Sequence, residues 1–263
     1  MSNEFRLIDT HTHVASAQFD ADRADVLVRA AEAGVARIIE IGYNLETSRA
    51  AVALAESHPQ IYAVVGVQPN HAHEAPENWN DQLRALAAHP KVVGIGEIGM
   101  DYHWKVAPPD LQERLFRDQL ALARELGLPV VIHCREAQAD TLRILGDDAR
   151  HQPGVMHSFS GDWAFAQACL DIGFMLSFSG PLTFPKATEL HEAARLAPLE
   201  MLLTETDSPY LSPHPQRGKR NEPARVRLVA ERLAALRGLP LDVVADQVWR
   251  NAERIFHKIL PGG

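Results

Sequence analysis

The sequence has little of what would mark several whole classes of protein. Only two cysteines, Cys134 and Cys169, occur in 263 residues. No disulfide framework is therefore implied, and reduced thiols in a cytoplasmic protein are expected. No apolar run is long enough to cross a bilayer. Residues 1–6 lack a basic segment followed by an apolar stretch, so no signal peptide is expected. Basic residues are in deficit, 26 against 34 acidic ones, for a net charge of −8. That balance argues against coating long stretches of nucleic acid, where many lysines and arginines must neutralise phosphates. It leaves room for a small, locally basic substrate site. Internal repeats, low-complexity tracts and long linkers are also missing, and no obligate protein partner is implied. The expected organisation is a single catalytic domain over 1–263.

What is present is an alternation. Short β-rich runs near 5–9, 35–41, 61–67, 92–96, 129–133, 154–157, 174–178 and 201–206 are separated by helical patterns. Several of the runs are continuous in Val, Ile and Leu, as parallel strands covered on both faces should be. Leu111, Leu115, Leu122 and Leu126 share one helical face, and that helix should end at Gly127 before Pro129. Val226, Val229, Leu233 and Leu236 make a second stripe, and Leu241, Val244, Val248 and Ile255 a third. Eight β/α alternations in this length predict an α/β fold of the closed (β/α)₈ TIM-barrel kind. An open doubly wound sheet is the rival, but the glycine fingerprint for dinucleotides is absent after the first strand. Segments 68–80, 102–109 and 208–223 each follow a strand and should face the active end of the barrel.

The residues with chemistry cluster at strand ends. Asp9-Thr10-His11-Thr12-His13 closes the first strand, and strand alternation points His11 and His13 the same way, about 7 Å apart. Two such imidazoles can grip one divalent ion. Glu97 lies in Gly94-Ile95-Gly96-Glu97-Ile98-Gly99 at the end of the fourth strand, where a carboxylate's two oxygens can bridge two cations. His133 follows the fifth strand, His157 the sixth and Asp207 the eighth. Each alone has an ordinary structural role: a hydrogen-bonded core histidine, a buried partner for an arginine, a turn cap. Six such groups at the carboxyl ends of five barrel strands predict a metal centre. A set rich in imidazole with two carboxylates suits zinc, manganese or iron better than magnesium alone.

With those residues in place the chain resembles the TatD family of metal-dependent deoxyribonucleases, among the amidohydrolase-like barrels. The resemblance rests on Asp9 to His13, on Gly96-Glu97-Ile98-Gly99-Met100-Asp101-Tyr102, and on Ile132-His133-Cys134-Arg135. It continues through His157-Ser158-Phe159-Ser160-Gly161, Glu205-Thr206-Asp207-Ser208-Pro209-Tyr210-Leu211, the stretch from Arg217 to Pro223, and Asn251-Ala252 before Ile255-Phe256. It implies that His11, His13 and Asp207 bind one ion, His133 and His157 another, and that Glu97 bridges them. The implied cofactor is two divalent ions (zinc, manganese or magnesium), and the implied substrate is DNA, single-stranded or at 3′ ends, cut in the 3′-to-5′ direction. Two places depart from the pattern. Gln68-Pro69-Asn70 followed by His71 stands where the family usually has His-Pro-His, and Gln68 can hydrogen-bond a phosphate oxygen but carries no charge. In Phe184-Pro185-Lys186 the lysine comes one residue later than usual.

Asp207 is the candidate proton acceptor, with Glu97 beside it at the catalytic centre. Gln68, Asn70, His71, His103, Arg135 and Arg217 are the candidate substrate contacts, with Tyr102 or Trp104 placed to stack a base. Arg217, Lys219 and Arg220 would supply local positive charge, and Glu205, of the same strand parity as Asp207, would orient a ligand. Hydrolysis of a small lactone, ester or cyclic amide on the same barrel is the alternative reading, because the fold does not choose among them. A non-catalytic scaffold stapled by metal is a third.

Overall fold

The computed structural model describes residues 5–259, so residues 1–4, on which the expectation about a leader mainly falls, and 260–263 lie outside it. Eight strands form one all-parallel sheet in sequential order: β1 Leu7–Thr12, β2 Val35–Ile41, β3 Ile61–Val65, β4 Val92–Asp101, β5 Val130–Arg135, β6 Gly154–Met156, β7 Phe174–Phe178 and β8 Leu202–Thr204. Helices α1 Arg23–Glu32, α2 Leu45–Ser57, α3 Trp79–Ala87, α4 Pro109–Leu126, α5 Gln138–Asp148, α6 Trp163–Asp171, α7 Thr188–Leu196, α8 Val226–Arg237 and α9 Leu241–Ile255 complete the alternation. The expected TIM barrel is the architecture found. No helix among the described residues is long and apolar enough to cross a membrane.

Between β8 and β1 the cylinder is joined beyond the ends of the regular strands. Thr12 and Ser208 form a parallel bridge. The Asp207 N–H donates to the His11 carbonyl at 2.9 Å and the His13 N–H to the Ser208 carbonyl at 2.8 Å. Below them the buried Asp9 carboxylate accepts from the Thr206 N–H at 2.8 Å and its hydroxyl at 2.6 Å. These bonds close the seam through the very segments that carry His11, His13 and Asp207.

The stripes read from the sequence lie on helices that cover this cylinder. In α4, Leu115 and Leu122 are buried while Leu111 and Leu126 at its ends are half-buried, and Gly127 caps the helix in the left-handed conformation. The same helix inserts Gln119, whose side chain accepts from the Val67 N–H at 2.7 Å and donates to the Val67 carbonyl at 2.9 Å. That clamp satisfies a buried backbone unit and fixes the chain where it leaves the barrel toward Gln68. In α9, Val244, Val248 and Ile255 are buried.

Strand ends differ from expectation: β1 runs to Thr12 rather than Asp9, β5 to Arg135 rather than His133, and the largest difference is in β4. The fourth strand does not stop at Gly96 but runs to Asp101, with Glu97 in its middle and a register irregularity against β5 between Ile95 and Ile98. Glycine permits this. A Cβ at Gly99, whose φ is 143°, would lie 1.9 Å from the His133 carbonyl oxygen. All ten residues of β4 are buried.

Candidate metal centre

At the carboxyl end of the barrel the six side chains converge. His11 Nε2 lies 3.3 Å from His13 Nε2, 3.7 Å from Glu97 Oε2 and 3.7 Å from Asp207 Oδ1. His13 Nε2 lies 3.4 Å from Asp207 Oδ1 and 4.0 Å from Glu97 Oε2. On the other side of the same carboxylate, Glu97 Oε1 is 2.7 Å from His133 Nδ1 and 3.1 Å from His157 Nε2. The two halves touch, with the His11 and His157 rings stacked at 3.9 Å. Glu97 thus presents one oxygen to each half.

Three of the four imidazoles are anchored through the nitrogen that faces away from the cage. His13 Nδ1 donates to the Ile41 carbonyl at 2.9 Å, His157 Nδ1 to Glu205 Oε1 at 3.1 Å, and His133 Nε2 to Asp101 Oδ2 at 2.9 Å. Each bond holds its ring and leaves the other nitrogen aimed inward, the usual arrangement behind a metal-binding histidine. His11 Nδ1 is buried with no partner. The loop after β1 is held by Glu40, which accepts from the Thr12 hydroxyl and the Val14 and Ala15 N–H groups, each at 2.8 Å.

The electrostatics demand positive charge here. Burial opposes ionisation of Glu97, but His157 and His133 outweigh it and hold its carboxyl well below the usual range. Burial also opposes a proton on His13; the hydrogen bond and charge of Asp207 overcome it, with Glu97 and Glu40, and lift the ring to about 9. His157 is raised well above its ordinary value against its burial, chiefly by Glu97 and then Glu205. His133 is raised by Asp101 and Glu97, again against burial. His11, between them, is driven well below by burial and by the charge of its neighbour His157. Protons gather where the carboxylates are, which is what a cage built for cations does in their absence.

The donor set fits divalent ions. Ligand atoms about 2.0–2.2 Å from a tetrahedral zinc are spaced about 3.3–3.6 Å from one another, and most contacts in the His11–His13–Asp207–Glu97 half fall near that spacing. Three overlapping triads within reach of an ion are His11–His157–Asp207, His11–His13–Glu97 and Glu97–His133–His157. The inward-facing nitrogens and carboxylate oxygens of these groups would hold the metal.

The candidate substrate contacts are distributed differently. Gln68 donates its amide to Glu97 Oε1 at 3.0 Å, and Asn70 donates to Asp101 Oδ2 at 3.1 Å, so both lie against the cage. His71 is paired with Glu74 at 2.9 Å and tilted over Tyr43, whose ring also meets His13 edge-on at 5.5 Å. His103 is tied to Glu136 at 2.6 Å, at the mouth rather than in the cage. Arg135 lies over the Trp104 ring at 5.3 Å, and Trp104 is 60% exposed. Tyr102 donates its hydroxyl to Asp140 at 2.7 Å, which leaves Trp104 as the freer of the two aromatic groups. Arg217 covers Phe184 at 4.3 Å. Arg220 is committed to structure: it pairs with Asp22 at 2.6 Å and covers Phe19, fastening this loop to the start of α1.

Among the supporting residues, Asp101, Asp9 and Glu40 were not legible as such in the sequence. Asp101 and Asp9 both belong to the quoted motifs, and Asp101 shares strand parity with Glu97, a signal that would have placed it on the inner face once β4 was extended past Gly96.

A family model described as "TatD related DNase" matches residues 8–257. The chain belongs to the TatD family. The uncharacterized metal-dependent hydrolase YabD of Bacillus subtilis is 42% identical over 251 residues, covering 95% of this chain and 98% of that one. A Salmonella typhimurium relative named 3′-5′ ssDNA/RNA exonuclease TatD is 36% identical, covering 96% and 100%. The crystal structure of a TatD homologue from Escherichia coli K12 superposes with a TM-score of 0.90 at 33% identity, over 96% of this chain and 98% of its own. The chain is thus a TatD-type metal-dependent hydrolase.

Proposed function

We propose that this hydrolase removes nucleotides from the 3′ ends of single-stranded DNA, using two divalent ions. The observation that carries this reading is Glu97, one buried carboxylate facing His11 and His13 with one oxygen and His133 and His157 with the other. The similarity to a relative named as a 3′-5′ ssDNA/RNA exonuclease supports the same substrate class. We assign His11, His13 and Asp207 to one ion, His133 and His157 to the second, and Glu97 to both. Ions held there supply Lewis acidity, making water a nucleophile near neutral pH and offsetting charge on phosphoryl oxygens.

The chain's own groups do the rest. The Asp207 side chain is 13% exposed against none for His11, so it meets incoming water at the edge of the cage and is the group placed to take its proton. The remote anchors on His13, His133 and His157 keep three rings from turning during turnover. Arg135 at the end of β5 is positioned for a phosphate and the exposed Trp104 beside it for a base, whose stacking on an aromatic ring tolerates any sequence. Tyr210, half exposed and edge-on to His13 at 6.2 Å, lies in the segment after β8 and can take a second base. Both cysteines are unpaired thiols, which supports a cytoplasmic setting.

The test is degradation of end-labelled single-stranded DNA with and without chelator. A ladder shortening from the 3′ end, abolished by chelator and restored by zinc or manganese, is the expected result; no cleavage under any metal would remove the nuclease reading. A second reading draws on Gln68 and Asn70, whose neutral amides are already engaged by Glu97 and Asp101 at a place where a phosphate would prefer charge. It predicts hydrolysis of a small lactone, ester or cyclic amide, and assaying these beside DNA, RNA and a phosphodiester dye separates the two.

A further inference from the structure

His133 is bracketed by two carboxylates of one strand. Glu97 and Asp101 both face inward from β4, and the ring of His133 on β5 lies between them, Nδ1 2.7 Å from Glu97 and Nε2 2.9 Å from Asp101. Gly99, midway between the carboxylates, pairs with His133 in the sheet and has no side chain to separate the strands. Asp101 is itself immobilised. Its Oδ2 accepts from His133 and from the Asn70 amide at 3.1 Å, and its Oδ1 from the His103 and Trp104 N–H groups at 2.9 and 3.0 Å. Its own backbone N–H and carbonyl are both held by the buried Gln112 side chain, at 2.8 and 2.9 Å.

We propose that Asp101, locked by Asn70 and Gln112, is a positioning residue that holds the His133 ring by Nε2, turns Nδ1 to the cage, and so sets the affinity of the Glu97–His133–His157 half. An ionised carboxylate only accepts, so Asp101 holds the Nε2–H of His133 whether or not Nδ1 is also protonated, and Nδ1 is the nitrogen left for an ion once the proton it shares with Glu97 is displaced. No other group within hydrogen-bond distance of His133 Nε2 performs this task among the described residues. Asn70, on the loop after β3, transmits the position of that loop to the same carboxylate, while Gln68 two residues before it holds the bridging Glu97. This inference rests on the reading of the cage as a metal centre.

The experiment is a zinc titration by calorimetry, with bound metal counted by elemental analysis, on the wild type, Asp101→Asn and Asn70→Ala. The wild type should bind two ions. Asp101→Asn should bind one ion about 10–100-fold more weakly, a range typical of lost outer partners, and leave the other within about twofold. Asn70→Ala, a change in a half-buried loop residue, should weaken the same ion by less and retain the fold. Two ions bound with unchanged affinity in Asp101→Asn overturns the inference alone. If that variant does not fold, unchanged affinities in Asn70→Ala overturn it. A wild type that takes up no zinc overturns the metal reading and this inference with it.

Discussion

Glu205 accepts a hydrogen bond from His157 Nδ1 at 3.1 Å and another from the Ser158 N–H at 2.8 Å, so the ring presents Nε2 to Glu97. Glu205 is fully buried, and its second oxygen has no partner. A buried carboxylate behind an imidazole raises its basicity and holds its plane. Glu205→Gln keeps an acceptor for the two N–H groups but removes the charge. It should weaken ion binding about 10–100-fold and lower kcat/KM correspondingly, with the fold retained. Zinc affinity equal to that of the wild type would show that the charge of Glu205 does not reach the cage.

Asp207 sits just past β8 with φ at 56°, a conformation that asparagine and aspartate adopt more readily than other side chains. Asp207→Asn therefore isolates chemistry from backbone strain. Its N–H bond to the His11 carbonyl is unaffected, and the barrel seam should survive. Loss of a proton acceptor of this kind costs about 10²–10⁴ in kcat. Steady-state kinetics on a phosphodiester dye, with melting temperature as a control for folding, measure it. A near-normal kcat would take Asp207 out of the role.

The barrel was legible because several strands are short Val/Ile/Leu runs and each stripe repeats at helical period, so periodicity separates the layers. The cage was legible for a different reason: parallel β/α topology delivers every strand's carboxyl end to one mouth, so residues such as His11 and His157, far apart in sequence, must meet once the fold is known. The length of β4 was not legible, since Gly96 and Gly99 read as punctuation although they serve here as points of close approach. Nor was the engagement of Gln68 and Asn70 with Glu97 and Asp101, because a hydrogen bond between loop and strand leaves no periodic trace. Arg220 read as local charge for a substrate, and only the fold brings it to Asp22 and Phe19.

Removing metal should leave the chain folded. The seam between β1 and β8 is made by Asp9 with Thr206, Thr12 with Ser208 and the backbone of His11 and His13, none of which needs an ion. An ion at a hundred times its Kd adds about 2.7 kcal/mol per site, which for a chain of this size raises Tm by roughly 5–10 °C. Thermal unfolding after chelation should thus remain cooperative at a lower Tm, with activity lost. Unfolding at room temperature on chelation would instead favour the metal-stapled scaffold.

The raised histidines give the metal-free protein an unusual pH profile. The folded-state value for His13, about 9, exceeds its ordinary value of 6.5, so its contribution to stability is complete below about 6.5 and is lost as pH climbs through 9. The gap corresponds to roughly 3 kcal/mol, and His157 and His133, also raised, act in the same direction. His11, held below its ordinary value, acts oppositely and costs stability as pH falls below about 6.5. The Tm of the metal-free protein should therefore decline from pH 6.5 to 9. Ions need deprotonated ligands and bind more tightly as pH rises, so the metal-loaded Tm should hold or climb over the same range. Differential scanning fluorimetry of both forms would reveal two diverging curves, and a flat metal-free curve across that window would mean that the carboxylates do not hold protons on these rings.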